Sequence, residues 1–304
     1  MKKNNHAMTA DEVQRKDAER VGYVATIGMF DGVHLGHQFV LRQVVEQARQ
    51  QALQSLCITF DQSPRQEKVL TPLNEKVRLI RQAGIDRVEV LAFTPALKAL
   101  SAREFMDRML RNQLGVEVLM TGYDNRFGHN REECFEDYVR YGKELGIEVL
   151  SLPPLSSPHH SNICSSHIRQ LLLKGLVDDA AESLGHPYAI DGHVTHGEHI
   201  GTELGFPTAN LLPDNPHQLI PAPGVYAVRC GAHKGMMNIG TRPTFGQHPQ
   251  TLEVHLLNYD GDLYGQALGV EFISRLREER RFQNMEALKE QLEQDAIQAE
   301  RILT

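Results

Sequence analysis

The sequence predicts an α/β architecture in two parts: a doubly wound parallel sheet in the first half, and a small antiparallel β-barrel with a terminal helix in the second. Three observations carry this. Up to Leu184, short apolar runs alternate with helical patterns. After Gly185, residues Gly, Pro and His punctuate short β-type runs instead. From Asn284 to Leu303 a helical stripe returns.

In the first half, Tyr23–Gly28 reads as a strand, and Gly36–Leu53 carries Leu41, Val44, Val45 and Ala48 at helical spacing. Leu56–Phe60 is a strand, Leu73–Ala83 a helix and Arg87–Phe93 a strand. Ser101 with Glu104 makes a capping box that opens a helix to Leu114. Val116–Thr121 is a strand, Arg131–Leu145 a helix and Ile147–Leu152 a strand. Repeated β-α units need crossover helices, so the sheet is parallel and covered on both faces. Its ligands belong at the carboxyl ends of the strands.

Leu152–Pro158 is a Pro- and Ser-rich loop, followed by a helix over Ser166–Lys174 and a short helical pattern to Leu184. Tyr188–Thr195, Gly224–Cys230, Lys234–Gly240, Thr251–Tyr259 and Val270–Leu276 then read as strands at barrel spacing. Met285, Leu288, Leu292, Ala296, Ala299 and Leu303 form the stripe of the last helix. The domain boundary is expected near Leu184–Pro187, giving a tail over 1–20 and domains over 21–184 and 185–304.

A chain of 304 residues allows about two domains. With 41% hydrophobic and 23% charged residues it can build ordinary cores. A net charge of −7 argues against nucleic acid as a partner, but not against ATP, which needs only local positive groups. Cys57, Cys134, Cys164 and Cys230 form no CxxC, which points to a reduced, cytoplasmic setting. Residues 1–20 are polar, lack a signal-peptide core and are expected to be flexible. No apolar run approaches the roughly 18 residues of a membrane helix, so no membrane partner is expected.

The sharpest motif runs from Thr26 to His37, TIGMFDGVHLGH, between a strand and a helix. His34 and His37, three apart, are expected to share a face at the helix start, where free N–H groups and the dipole favour anions. Gly28, Gly32 and Gly36 let the backbone approach phosphates. In a second segment, Ile163–Arg169, either Ser165 or Ser166 is a candidate helix cap, with Arg169 one turn in, again facing an anion. A third, Gly122–Arg131 (GYDNRFGHNR), follows a strand end. Such a site suits nucleotidyl transfer. A phosphate on the acceptor attacks the α-phosphorus of ATP, and catalysis is positioning plus charge stabilisation.

These three segments, in this order, resemble the adenylyltransferase half of the bifunctional riboflavin kinase/FAD synthetase family, over Val21–Leu184. The resemblance implies a nucleotidyltransferase domain that adenylylates FMN with MgATP. It implies phosphate roles for His34, His37, Ser165 and Arg169, and nucleotide or flavin roles for Asp124, Asn125 and Arg126. Gly28, Phe30, Asp31, Gly36 and Ser166 belong to the same motifs. Two segments depart from the pattern. The family's TFxPHP reads Thr59-Phe60-Asp61-Gln62-Ser63-Pro64, and its SSTxIR reads Cys164-Ser165-Ser166-His167-Ile168-Arg169.

In the second half, Thr208 and Asn210 are two apart, so on an extended segment a hydroxyl and an amide oxygen point the same way and suit Mg²⁺. There is no GxxxxGK[ST] loop; Gly192, Gly197, Gly201 and Gly205 are the candidate phosphate cradle. Glu253, in an apolar strand, is either a solvent-facing residue or a general base. His193, His196 and His199 do not converge on one point in a strand, so no zinc site is expected.

GFPTANL (205–211), NIGTRPTF (238–245) and EVHLL (253–257) with GDLYG (261–265) resemble the riboflavin kinase domain of the same family, over Gly185–Thr304. That resemblance implies a six-stranded barrel, Mg²⁺ at Thr208 and Asn210, and Glu253 as base on the ribityl 5′-hydroxyl. Gly197, Gly201, Gly205, Pro207 and Asn238 join the ATP and riboflavin site. Thr202 departs from the family's usual Arg or Lys. The implied small-molecule partners are riboflavin, FMN, FAD and ATP. The departures at Gln62, Ser63 and Thr202 keep open a single surviving activity, or a nucleotidyltransferase for another phosphorylated acceptor; a third alternative is a flavin-binding or regulatory protein without turnover.

Overall fold

The computed structural model describes residues 21–62, 68–122, 125–153, 163–195, 205–241 and 250–304. The tail expected over 1–20 lies outside them. The chain packs as two compact units. The first draws on 1–30, 36–66 and 73–155; the second on 31–35, 67–72 and 156–304.

The first unit is a five-stranded sheet. Its elements are β1 (Tyr23–Ile27), α1 (Leu35–Gln50), β2 (Gln54–Phe60), α2 (Leu73–Gln82), β3 (Arg87–Leu91), α3 (Pro95–Lys98), α4 (Ala102–Phe105), β4 (Val116–Gly122), α5 (Phe135–Leu145) and β5 (Glu148–Leu152). The strands run parallel in the order β3-β2-β1-β4-β5. Central strands β1 and β2 are buried nearly throughout, as continuous apolar runs covered on both faces should be. The order reverses between β1 and β4, which makes their carboxyl ends the expected ligand crevice.

The Ser101–Glu104 capping box forms as expected. Its helix continues past α4 with wider π-type turns over Met106–Gln113. The helix expected from Arg131 begins at Phe135 instead; Gly128, at φ +95°, feeds a single 3-10 turn over His129–Arg131. At Gly128 a Cβ would lie 2.6 Å from the Ala102 nitrogen, so only glycine fits there.

In the second unit, α6 (Ser165–Leu173) and α7 (Val177–Leu184) precede β6 (Tyr188–Thr195), β7 (Ala209–Pro213), β8 (Gly224–Cys230), β9 (His233–Thr241), β10 (Gln250–Leu256) and β11 (Ala267–Arg277). These six strands close a barrel in the order β10-β7-β6-β11-β8-β9, antiparallel at every pairing. Inward residues such as Ile190, Leu211, Met237, Val254 and Phe272 fill it. Leu70, Ile168, Leu172 and Leu184 join the same core, so α6, α7 and the segment around Leu70 pack with the barrel. β7 was not expected as a strand, because Asn210 and Pro213 obscure its alternation.

The terminal helix α8 (Met285–Ile302) starts at Asn284, whose side chain accepts from the Ala287 N–H. It lays Ala299 and Leu303 over Ala227 and Met236 on the outside of the barrel. Met285, placed on the stripe by its spacing, is exposed. The helix also buries Asp295, which is bound through both carboxylate oxygens to Arg277 Nε at 3.1 and 2.9 Å.

Candidate active sites

In the first unit the carboxyl end of β1 is fixed residue by residue. The Asn125 side-chain amide donates to the Ile27 carbonyl, so a residue from the loop after β4 reaches across the reversal point. The Gly28 N–H donates to the Ile58 carbonyl at 3.0 Å. The Met29 carbonyl accepts from the Thr59 hydroxyl at 3.1 Å and from the Lys76 ammonium at 3.2 Å. Phe30 is buried and presents its ring edge-on to His37, with centroids 5.1 Å apart. Gly36 and His37 stand half-buried in the first turn of α1, and Arg126 is exposed. Asp124 lies outside the described residues.

The backbone then turns sharply, with φ +50° at Phe30, +90° at Gly32 and +40° at Val33. Left-handed angles at a phenylalanine and a β-branched valine are strained, and strain of this kind persists where surrounding contacts over-determine it. Because α1 begins at Leu35, His34 lies just before the helix and only His37 stands in its first turn, so the two do not share a helix face as expected. The turn, not the helix, orients His34.

Within the second unit Asp31 is the hub. Its carboxylate accepts from the N–H groups of Leu70 at 2.9 Å and Thr71 at 3.1 Å, and pairs with the Arg169 guanidinium. Both members of that ion pair are largely buried, their side chains 15% and 13% exposed. Arg169 also donates from Nε to the Lys68 carbonyl at 3.2 Å. Neither serine candidate caps α6. The N-cap is Cys164 without a side-chain bond, and the Ser165 hydroxyl donates instead to the Asp31 carbonyl at 2.8 Å. Ser166 is exposed at the helix start. Burial holds the His34 imidazole down to about 4, so at neutral pH it is uncharged and offers one N–H donor.

The second candidate site lies on the barrel wall. Strand pairing sets Asn210 of β7 opposite Glu253 of β10, and Glu253 opposite Asn238 of β9. Directly paired residues share a face. Their neighbours Ala209, Leu211, Leu252, Val254, Met237 and Ile239 point into the core, so the polar row faces outward, half-buried. Glu253 is thus an outward residue, as alternation alone suggests, yet one flanked by two amides. Thr208 is half-buried two residues before Asn210, and Gly205 turns the chain at φ +83°. Pro207 is exposed, and its carbonyl lies 2.8 Å from His255 Nδ1. Gly197, Gly201 and Thr202 lie outside the described residues. So do His196 and His199; His193 pairs with Asp214 at 2.6 Å.

Sequence reading missed Lys76 and Thr59. The available signal was a lysine one turn before Ile80 on the buried face of an amphipathic helix. It also missed Asp31 as a structural hub, because its partners lie 39 to 138 residues away.

Comparison with known proteins matches both halves. The riboflavin kinase family model matches residues 184–303, and the FAD synthetase family model matches 16–167. A bifunctional riboflavin kinase/FMN adenylyltransferase of Escherichia coli K12 is 37% identical over 294 residues, covering 93% of each chain. Its counterpart in Pseudomonas fluorescens is 38% identical, covering 92% of this chain and 93% of that one. That of Listeria monocytogenes is 34% identical, covering 96% and 94%. A crystal structure from Streptococcus pneumoniae, described as a macrolide-efflux protein, matches with a TM-score of 0.85 at 28% identity, covering 94% of this chain and 96% of that chain. Among the described residues no helix is long and apolar enough to cross a membrane.

Proposed function

The chain belongs to the bifunctional riboflavin kinase/FMN adenylyltransferase family, and we propose that it carries out the two steps with the residues described above. It phosphorylates riboflavin with ATP to give FMN, and adenylylates FMN with a second ATP to give FAD and pyrophosphate. The adenylyltransferase part is 21–184 and the kinase part 185–304. The observation that carries the kinase assignment is the Asn210–Glu253–Asn238 row. It sets a carboxylate between two amides on one half-buried face, in the stretch matched by the riboflavin kinase family.

In the kinase step, Glu253 accepts the proton of the ribityl 5′-hydroxyl as that oxygen attacks the γ-phosphorus. Thr208 and Asn210 offer a hydroxyl and an amide oxygen, hard donors that suit Mg²⁺. Among the described residues no group of three His, Cys, Asp or Glu is placed to hold a metal. Held by Thr208 and Asn210, Mg²⁺ would supply positive charge to offset the negative charge that develops in phosphoryl transfer. Gly197, Gly201, Gly205, Pro207 and Asn238 complete the nucleotide and flavin contacts.

In the adenylyl step the FMN phosphate is already ionised, so no protein nucleophile is required. His34 donates one N–H to the triphosphate as a neutral imidazole, and His37 acts from the first turn of α1. Arg169 brings permanent charge, held in place by Asp31. Nucleotide and FMN contacts are further assigned to Gly28, Phe30, Gly36, Asp124, Asn125, Arg126, Ser165 and Ser166. Free thiols at Cys57, Cys134, Cys164 and Cys230 fit a reducing cytoplasm.

The test is to incubate the pure protein with riboflavin and MgATP and to resolve FMN and FAD chromatographically. Both products should form. FMN alone, FAD only from supplied FMN, or flavin binding with neither product would each remove part of the proposal.

A further inference from the structure

Lys76 occupies a core position, only 5% exposed, on the face of α2 that also buries Ile80. Its ammonium donates to the Phe60 carbonyl at 2.8 Å and to the Met29 carbonyl at 3.2 Å. Both carbonyls sit at the carboxyl edge of the sheet, one at the last residue of β2 and the other two residues beyond β1. An ammonium withdrawn from water is costly unless hydrogen-bonded, and packing alone would be served at this position by an apolar side chain. What the charge adds is a fixed Met29. The Met29 carbonyl takes two donors, Thr59 as well as Lys76. Its neighbours are the tethered Gly28 and the left-handed Phe30, whose ring meets His37.

We infer that Lys76, assisted by Thr59, is a positioning residue for adenylyl transfer: by holding the Met29 carbonyl it sets the turn that presents Gly28, Phe30 and the His37 ring to the nucleotide. This rests on the adenylyltransferase reading above. Neither residue touches the reacting atoms, so their removal acts on the geometry of the reacting complex. A misplacement on the order of 1 Å costs about 10²-fold in rate.

The experiment uses the full chain as wild type, Lys76→Met and Thr59→Val. FMN-to-FAD conversion is measured with ATP and FMN each varied, riboflavin-to-FMN conversion on the same preparations, and folding by thermal unfolding. Expected for Lys76→Met is a kcat for FAD formation lower by about 30- to 100-fold, with both KM values within about twofold. Thr59→Val, which keeps the shape and removes only the hydroxyl, should lose about three- to tenfold in the same direction. FMN formation from riboflavin should not change in either. Unchanged kcat per folded molecule overturns the inference, and so does a raised KM for ATP at unchanged kcat. Should Lys76→Met fail to fold, Thr59→Val decides by the same criteria. If the wild type makes no FAD from supplied FMN, the functional reading falls and takes this inference with it; if the wild type does and both folded variants match it, this inference alone falls.

Discussion

The two candidate sites are built in opposite ways. At the sheet, the candidate groups stand on loops beyond the strand ends, and long-range bonds hold them: Asn125 to Ile27 and Lys76 to Met29; in the second unit the loop residue Asp31 is tied in the same way to Arg169. On the barrel, Asn210, Glu253 and Asn238 stand on the strands themselves, and the ladder holds them in register. A strand-borne site inherits its geometry from pairing that the whole barrel enforces. A loop-borne site depends on a few polar contacts, each of which can be lost singly. Substitution of a chemical group should therefore dominate in the barrel. Loss of supporting contacts should matter most at the sheet.

The largest expected effect is at Glu253. Glu253→Gln should lower kcat for FMN formation by about 10²–10⁴, the range for a general base, and leave FMN-to-FAD conversion within about twofold. Loss of both steps in a folded protein would break the division between the sites.

Asp31→Asn comes next. It leaves the Arg169 guanidinium largely buried without its anion, and breaking such a pair costs on the order of 3 kcal/mol. Denaturant unfolding should show that loss, and FAD formation should fall with it while FMN formation persists. A stable Asp31→Asn protein with full FAD synthesis would refute the hub.

The pH dependence of stability sharpens the comparison further. His34 titrates near 4 when folded and near 6.5 when unfolded. Between those values the unfolded chain binds the extra proton, so stability falls as pH drops from 6.5 towards 4. The full contribution is about 3 kcal/mol, from about 1.4 kcal/mol per pH unit. Unfolding of wild type and His34→Gln across this window should differ by that slope; parallel curves would show that His34 is not held neutral by burial. The smallest effect is expected at the cap of α8, away from both sites. Asn284→Ala should cost about 1 kcal/mol in unfolding free energy and leave both activities intact.

The legibility of each region follows the same divide. The parallel strands and the helices between them were readable because burial on two faces and on one stripe leaves distinct periods. Glu253 was readable as a candidate because a carboxylate stands out in an apolar strand, and Asn210 because it lies two residues from Thr208. β7 was not readable: five residues containing Asn210 and Pro213 carry too little period to be seen. Lys76 read as an ordinary charged helix residue, because nothing local announces that its ammonium will meet two strand-end carbonyls. The serine caps of α6 failed since Ser165 finds a better acceptor in Asp31, 134 residues earlier.

By itself, the sequence determined the two architectures, the order of the motifs and the candidates for the reactive groups, all of which depend on residues near one another in the chain. The tertiary structure decided which groups meet: that Arg169 faces Asp31, that His34 is buried and uncharged at neutral pH, and that Asn210, Glu253 and Asn238 form one row. The physical reason is that ion pairing, desolvation and strand register are set by partners far away in the chain, and only folding brings those partners within reach.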